Sequence, residues 1–241
     1  MLASELRRIT GRRGSYWSAI LIGLATVVTM IIVRLTQNGD AGGTQLLDAM
    51  DPVSIPATLM AVIVGALAGS YDMAQGTMRY LVMTGVPRRR LYAIRALGTA
   101  IATAIACAPA IVVVIVAAYA CRHAAFNDPT PSADLGAVWA YLANPLVFAL
   151  VSMAIGSLLH SNGAAIGVSL GLSLGGVIIT GLIEHYLSRT ASDYLLPTAT
   201  DIAAQLRHHD NIPLGAAFAA VAAWLVVFLG AGLVRTLRDE Y

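Results

Sequence analysis

The chain has 241 residues, of which 58% are hydrophobic and 12% charged, with a net charge of +2. Soluble domains carry about 25% charged residues, and no single water-exposed core of this length needs so much apolar side chain. A soluble domain, a disordered chain, a collagen, a disulfide scaffold and a coiled coil are excluded, leaving an integral membrane protein with room for about six or seven spans of roughly 20 residues.

The fifteen basic residues are all arginine. A phosphate-binding loop of the form GxxxxGK[ST] needs a lysine, so any ATP-driven role requires a second chain. The first fifteen residues hold Arg7, Arg8, Arg12 and Arg13 around Leu2, Leu6 and Ile9, whose i, i+4, i+7 spacing predicts a short amphipathic helix at the membrane surface. The apolar run that follows is of full span length and is not read as a cleavable signal.

Six uncharged runs predict six transmembrane helices in one domain covering 1–241, at 16–33, 53–71, 96–121, 135–159, 161–183 and 212–234. The expected class is therefore all-α integral membrane. The break between the fourth and fifth runs is only His160-Ser161-Asn162-Gly163, read as a tight hairpin. Alternate connecting segments carry eleven arginines on one side and four on the other. The positive-inside rule puts the eleven, and with them both termini, in the cytoplasm. Cys107 and Cys121 fall within one run, about 21 Å apart along a helix, and are read as small buried hydrophobes.

The segment 184–211 is expected outside, on the surface or dipping partway back. It holds the apolar stretch Tyr194-Leu195-Leu196 before Pro197, then a predicted short helix from Thr198 to Leu206 with Thr200 or Asp201 as N-cap. No charged residue is expected at mid-span, which disfavours a proton-coupled carrier and points to a hydrophobic or amphiphilic cargo.

The richest segment is 72–91. A short helix is predicted over 74–84, with Met78, Leu81 and Val82 on one side, ended by Gly85; Pro87 then starts the next helix. Arg88, Arg89 and Arg90 follow at the entry of the third span. By composition these arginines read as inside anchors in anionic lipid; the alternative is that the short helix before them docks into a partner protein. Asp72-x-x-x-Gly76-Thr77-x-Arg79-x-Leu81, then Gly85-x-Pro87-x-Arg89-Arg90-Leu91, resembles the first cytoplasmic loop of type-2 ABC transporter permeases, with Asp72 where glutamate is usual. The six-span layout, the cytoplasmic termini and the long segment between spans 5 and 6 are similar too.

That resemblance implies the membrane subunit of an exporter in the plasma membrane, working as a homodimer or with a related permease chain. It implies a coupling helix at about 73–84 that grips a separate ATPase subunit, with Asp72, Gly76, Thr77, Met78, Arg79, Leu81 and Arg89 as the coupling residues. The chain itself would then be no enzyme and hold no cofactor, with ATP and magnesium in the partner. Its expected partners are ABC ATPase subunits, a second permease and membrane lipids, with no nucleic acid.

Gly163, Gly167, Gly171 and Gly175 repeat GxxxG three times along the fifth span. Such a stripe lets helix backbones approach closely in lipid, either within the subunit or, as the family layout favours, against the partner permease. Gly65 and Gly69 form a shorter version, read as internal packing. Gly167-Val168-Ser169-Leu170-Gly171 matches GxSxG, but a nucleophile elbow needs a strand-turn-helix setting. His208-His209-Asp210 is read as a solvated loop, and Glu184 with His185 as an interface anchor. The competing functions are an intramembrane enzyme built on Ser169 and a membrane scaffold without an ATPase.

Overall fold

The structure, a computed structural model, describes residue 28 and residues 46–75, 85–120, 131–186, 189–204 and 212–238. The predicted first span, the amphipathic start and the coupling segment 76–84 lie outside them. The described residues form α1 (Leu46–Ala74), α2 (Arg88–Ala120), α3 (Pro131–Leu159), α4 (Asn162–Tyr186), α5 (Arg189–Ser192), α6 (Leu196–Ala203) and α7 (Leu214–Arg238), with no strand among them. Five segments are long and apolar enough to cross a bilayer: Ser54–Tyr71, Arg88–Val112, Val138–Leu159, Asn162–Tyr186 and Leu214–Arg238. These match the second to sixth predicted spans. The main shift is in α2, which begins at Arg88, so that Arg95 belongs to the helix and not to the preceding loop.

The helices form because every run is apolar around its whole circumference, and in lipid only a helix pairs its backbone within one segment. Polar residues survive there by bonding back to their own helix. The hydroxyls of Thr99, Ser157, Thr180, Thr200 and Thr236 each donate to the carbonyl four residues earlier, at 2.6 to 3.1 Å.

Helix α3 is the axis of the bundle and touches α1, α2, α4, α6 and α7. Some 72% of its membrane segment is buried, against 17% for α4 and for α7. Its tightest partner is α1. A Cβ placed on Gly65 would overlap the Ala149 carbonyl, and one on Gly69 the Met153 carbonyl, while one on Gly156 would stand 2.5 Å from the Ala66 carbonyl. Backbone therefore lies on backbone, as the reading of Gly65 and Gly69 as internal packing expects. Val62, Phe148, Val151 and Ile155 fill the core beside this crossing.

The α3–α4 connection is as short as the sequence implies. Helix α3 stops at Leu159, His160 adopts φ 56°, and α4 begins at Asn162. A non-glycine residue in this left-handed region reverses the chain at a local conformational cost. Gly85, at φ 77°, takes up the left-handed region that glycine favours before α2; the amides of Arg90 and Leu91 then donate to the Pro87 carbonyl.

Candidate functional site

The ends of five helices converge where the sequence concentrates its arginines. From α2, Arg88 Nη1 donates to the Leu237 carbonyl of α7 at 3.1 Å. One turn on, the Tyr92 hydroxyl lies against Gly232 of α7, where a Cβ would approach it to 2.5 Å and the Ala154 carbonyl of α3 to 3.2 Å. One turn further, the buried Arg95 reaches the Gly69 carbonyl of α1 with Nη1 at 3.4 Å. The Ser70 hydroxyl of α1 sits 2.8 Å from Asn162 Oδ1 at the start of α4. The two helices that flank segment 76–84 are thus fastened by side chains to each other, to α4 and to α7.

Of the predicted coupling residues, Asp72 lies in the last turn of α1 and Arg89 is exposed in the first turn of α2. Gly76, Thr77, Met78, Arg79 and Leu81 lie outside the described residues.

The second feature is a re-entrant segment. After α4 the chain turns back, forms α5 and α6, and only later enters α7. Helix α6 starts at Leu196 because Leu195 is extended, Pro197 fits the first turn, and the Ala199 amide donates to the Leu195 carbonyl at 2.8 Å. Its N-cap is Leu195, so Thr200 and Asp201 do not cap it as the sequence reading expects; both lie inside the helix. The Thr200 hydroxyl turns back to Leu196, and Asp201 has a partner elsewhere.

Three contacts fix how deep this segment goes. Pro197 abuts Gly176, where a Cβ would meet its Cγ at 3.0 Å. Gly176 is ten residues, or about 15 Å, from the end of α4. Trp224 Nε1 donates to the Tyr194 carbonyl at 3.0 Å. Trp224 is likewise ten residues, about 15 Å, from the start of α7. Asn144 Nδ2 donates to Asp201 Oδ1 at 2.6 Å, and Asn144 stands about 20 Å from the start of α3. The segment reaches the middle of the bundle.

Leu196, Ala199, Ile202 and Ala203 are buried there in the same apolar clusters as residues of α1, α3 and α7. Pro109 in α2 and Pro145 in α3 each remove one helical hydrogen bond.

The expectation that no charge lies at mid-span concerns the spans alone, and it leaves out two acids of the connection. Asp193 is fully buried and Asp201 is bonded to an asparagine of the central helix. Both carboxylates come from the connection, so a count of charges within the spans misses them. The signal that could have found them is the apolar stretch Tyr194-Leu195-Leu196 with Pro197, which a solvated loop has no reason to carry.

The third feature is the outer face of α4. Gly163, Gly167 and Gly171 are exposed and Gly175 half-buried; nothing lies within 4 Å of a Cβ built on any of them. Their neighbours Val168, Leu174, Val177 and Ile178 are at least half exposed. The stripe packs on nothing in this subunit among the described residues, unlike Gly65 and Gly69.

Ser169 is on the opposite, buried face, in uninterrupted helix and not in a strand-turn-helix elbow. His185 is sixteen residues, about 24 Å, further along the same helix, where its ring meets Tyr186 edge-on. Glu184 and His185 are exposed at the end of α4. His208, His209 and Asp210 lie outside the described residues, and no group of three metal-ligating side chains occurs among the described ones.

No family model matches the sequence, and no curated protein matches it.

Proposed function

We propose that this chain is the membrane-spanning permease subunit of an ATP-driven exporter, coupled to separate ATPase subunits through segment 72–91. In this reading two permeases pair along α4, and the path between them carries a hydrophobic or amphiphilic cargo. The basic end faces the cytoplasm, with both termini on that side of the plasma membrane. The chain supplies no nucleotide site of its own; ATP and magnesium bind in the partner.

The observation that carries the proposal is the fastening at the basic end. A motor that grips the segment between α1 and α2 acts on Arg88, Tyr92 and Arg95, and through them on α7 and α1. A push on one short segment is thereby delivered to the bundle as a whole. The open glycine edge of α4 supports pairing with a second permease, because close helix approach in lipid is driven by packing of small residues.

Affinity purification from native membranes tests this. A nucleotide-binding subunit with ATPase activity should copurify, and Leu81→Glu or Met78→Glu should strip it while leaving the permease folded. Absence of an ATPase, or its full retention by both variants, overturns the proposal.

One observation favours a second reading. The Asp201–Asn144 pair at mid-bundle is the kind of polar site that ion-coupled carriers use. Transport that persists without ATP and collapses with the proton gradient selects that reading over the first.

A further inference from the structure

The hydroxyls of Thr99, Ser157, Thr180, Thr200 and Thr236 turn back to their own helices, and that of Thr103 on α2 does not. Thr103 stands one turn beyond Thr99 and is 2% exposed, yet its Oγ1 has no hydrogen-bond partner among the described residues. A hydroxyl kept from water without a partner is costly.

That hydroxyl lines a small cleft between α1 and α2. Ala61 of α1 and Thr103, Ala106 and Cys107 of α2 are buried and form its floor, while Met60 and Val64 of α1 are half-buried at its rim. Its volume, about 10 Å³, is what one oxygen-sized group needs. No charged side chain lines it, so the cleft offers an ion no counter-charge. A lone water needs about two to four polar partners. The lining side chains offer the Thr103 hydroxyl and the weakly bonding sulfurs of Met60 and Cys107. They suit instead an oxygen carried on an apolar stem: the oxygen pairs with Thr103, and the stem leaves past Met60 and Val64 into the hydrocarbon.

We propose that the α1–α2 cleft binds an uncharged amphiphile with one hydroxyl on an aliphatic chain, a long-chain alcohol, with Thr103 as its hydrogen-bond partner. The site lies within one subunit, shares no residue with the glycine face of α4 and does not depend on the transport reading.

The test uses the full chain in phosphatidylcholine vesicles. The probe is an octanol bearing a photoreactive diazirine, and peptide mass spectrometry locates its adducts. Adducts should saturate with probe on 57–64 and 103–107. 1-Octanol should compete for them, and n-octane should not. Thr103→Val keeps the shape without the hydroxyl and should weaken probe binding there roughly three- to tenfold. Thr103→Ser should keep much of it. Thr180→Val, which removes a back-bonded hydroxyl from α4, should stay within about twofold of wild type. A melting temperature matching wild type shows that Thr103→Val is folded; if it does not match, Thr103→Ala against Thr103→Ser carries the test. Adducts that do not saturate at the cleft, equal labelling of Thr103→Val and wild type, an equal loss in Thr180→Val, or competition by n-octane as strong as by 1-octanol overturns the proposal.

Discussion

The indole Nε1 of Trp224 donates to the backbone carbonyl of Tyr194 at 3.0 Å, thirty residues back in the chain and about 15 Å along α7 from its start. Tyr194 lies between α5 and α6, at the reversal of the re-entrant segment. The bond ties the apex of that segment to α7.

Trp224→Phe keeps the ring, which stacks on Phe228 at 5.9 Å, and removes the donor. The cost should be about 0.5–1.5 kcal/mol. Loosening is best read with Ala199→Cys, a fully buried reporter on α6. Ala199→Cys alone should resist a maleimide, and Ala199→Cys with Trp224→Phe should label faster. Equal rates would show that the tryptophan does not hold the segment.

The two sets of glycines should respond in opposite ways to one substitution. Gly65→Val or Gly69→Val drives a side chain into α3 backbone and should destabilise the monomer by about 1–3 kcal/mol or prevent folding. Gly167→Val or Gly171→Val adds bulk in open space and should leave monomer melting unchanged. If α4 pairs with a second permease, those same variants should shift the dimer to monomer on size-exclusion with light scattering.

Asn144 and Asp201 should be energetically coupled. Asn144→Ala and Asp201→Ala are each expected to destabilise, and the double variant should cost less than their sum by about 0.5–3 kcal/mol. Denaturation in mixed micelles measures the cycle. Strict additivity would mean that the 2.6 Å contact carries no net energy.

Arg89 and Tyr186 mark opposite ends of the bundle, and both are exposed. Arg89→Cys in intact cells should be shielded from an impermeant thiol reagent, and Tyr186→Cys should react. The reverse pattern would invert the arginine-based orientation.

The long helices were legible because their signal is redundant: some twenty apolar residues in a row allow one structure in lipid. The tight α3–α4 turn was legible for the same reason, since two full spans left four residues between them. Gly65 and Gly69 were read correctly as internal. The α4 stripe looked alike in sequence, and only its surroundings distinguish it. The re-entrant segment was harder. Leu195, Leu196 and Pro197 carried a hint, but the depth of Asp201 depends on its partner Asn144, which is 57 positions away. The cap of α6 was misplaced because Thr200 and Asp201 have capping chemistry, while the start is set by Pro197 and the extended Leu195. Arg95 was assigned to a loop because a charge normally ends a span; here the Gly69 carbonyl receives it inside the bundle.

The reversal at His160 leaves just Ser161 before α4 begins, and neither residue brings a fixed charge. With so little slack, α3 and α4 cannot be threaded into the bilayer one after the other as independent rods. They must enter as a ready-made pair, with the bare turn held at the basic end beside Ser70 and the start of α3 and the end of α4 at the other end.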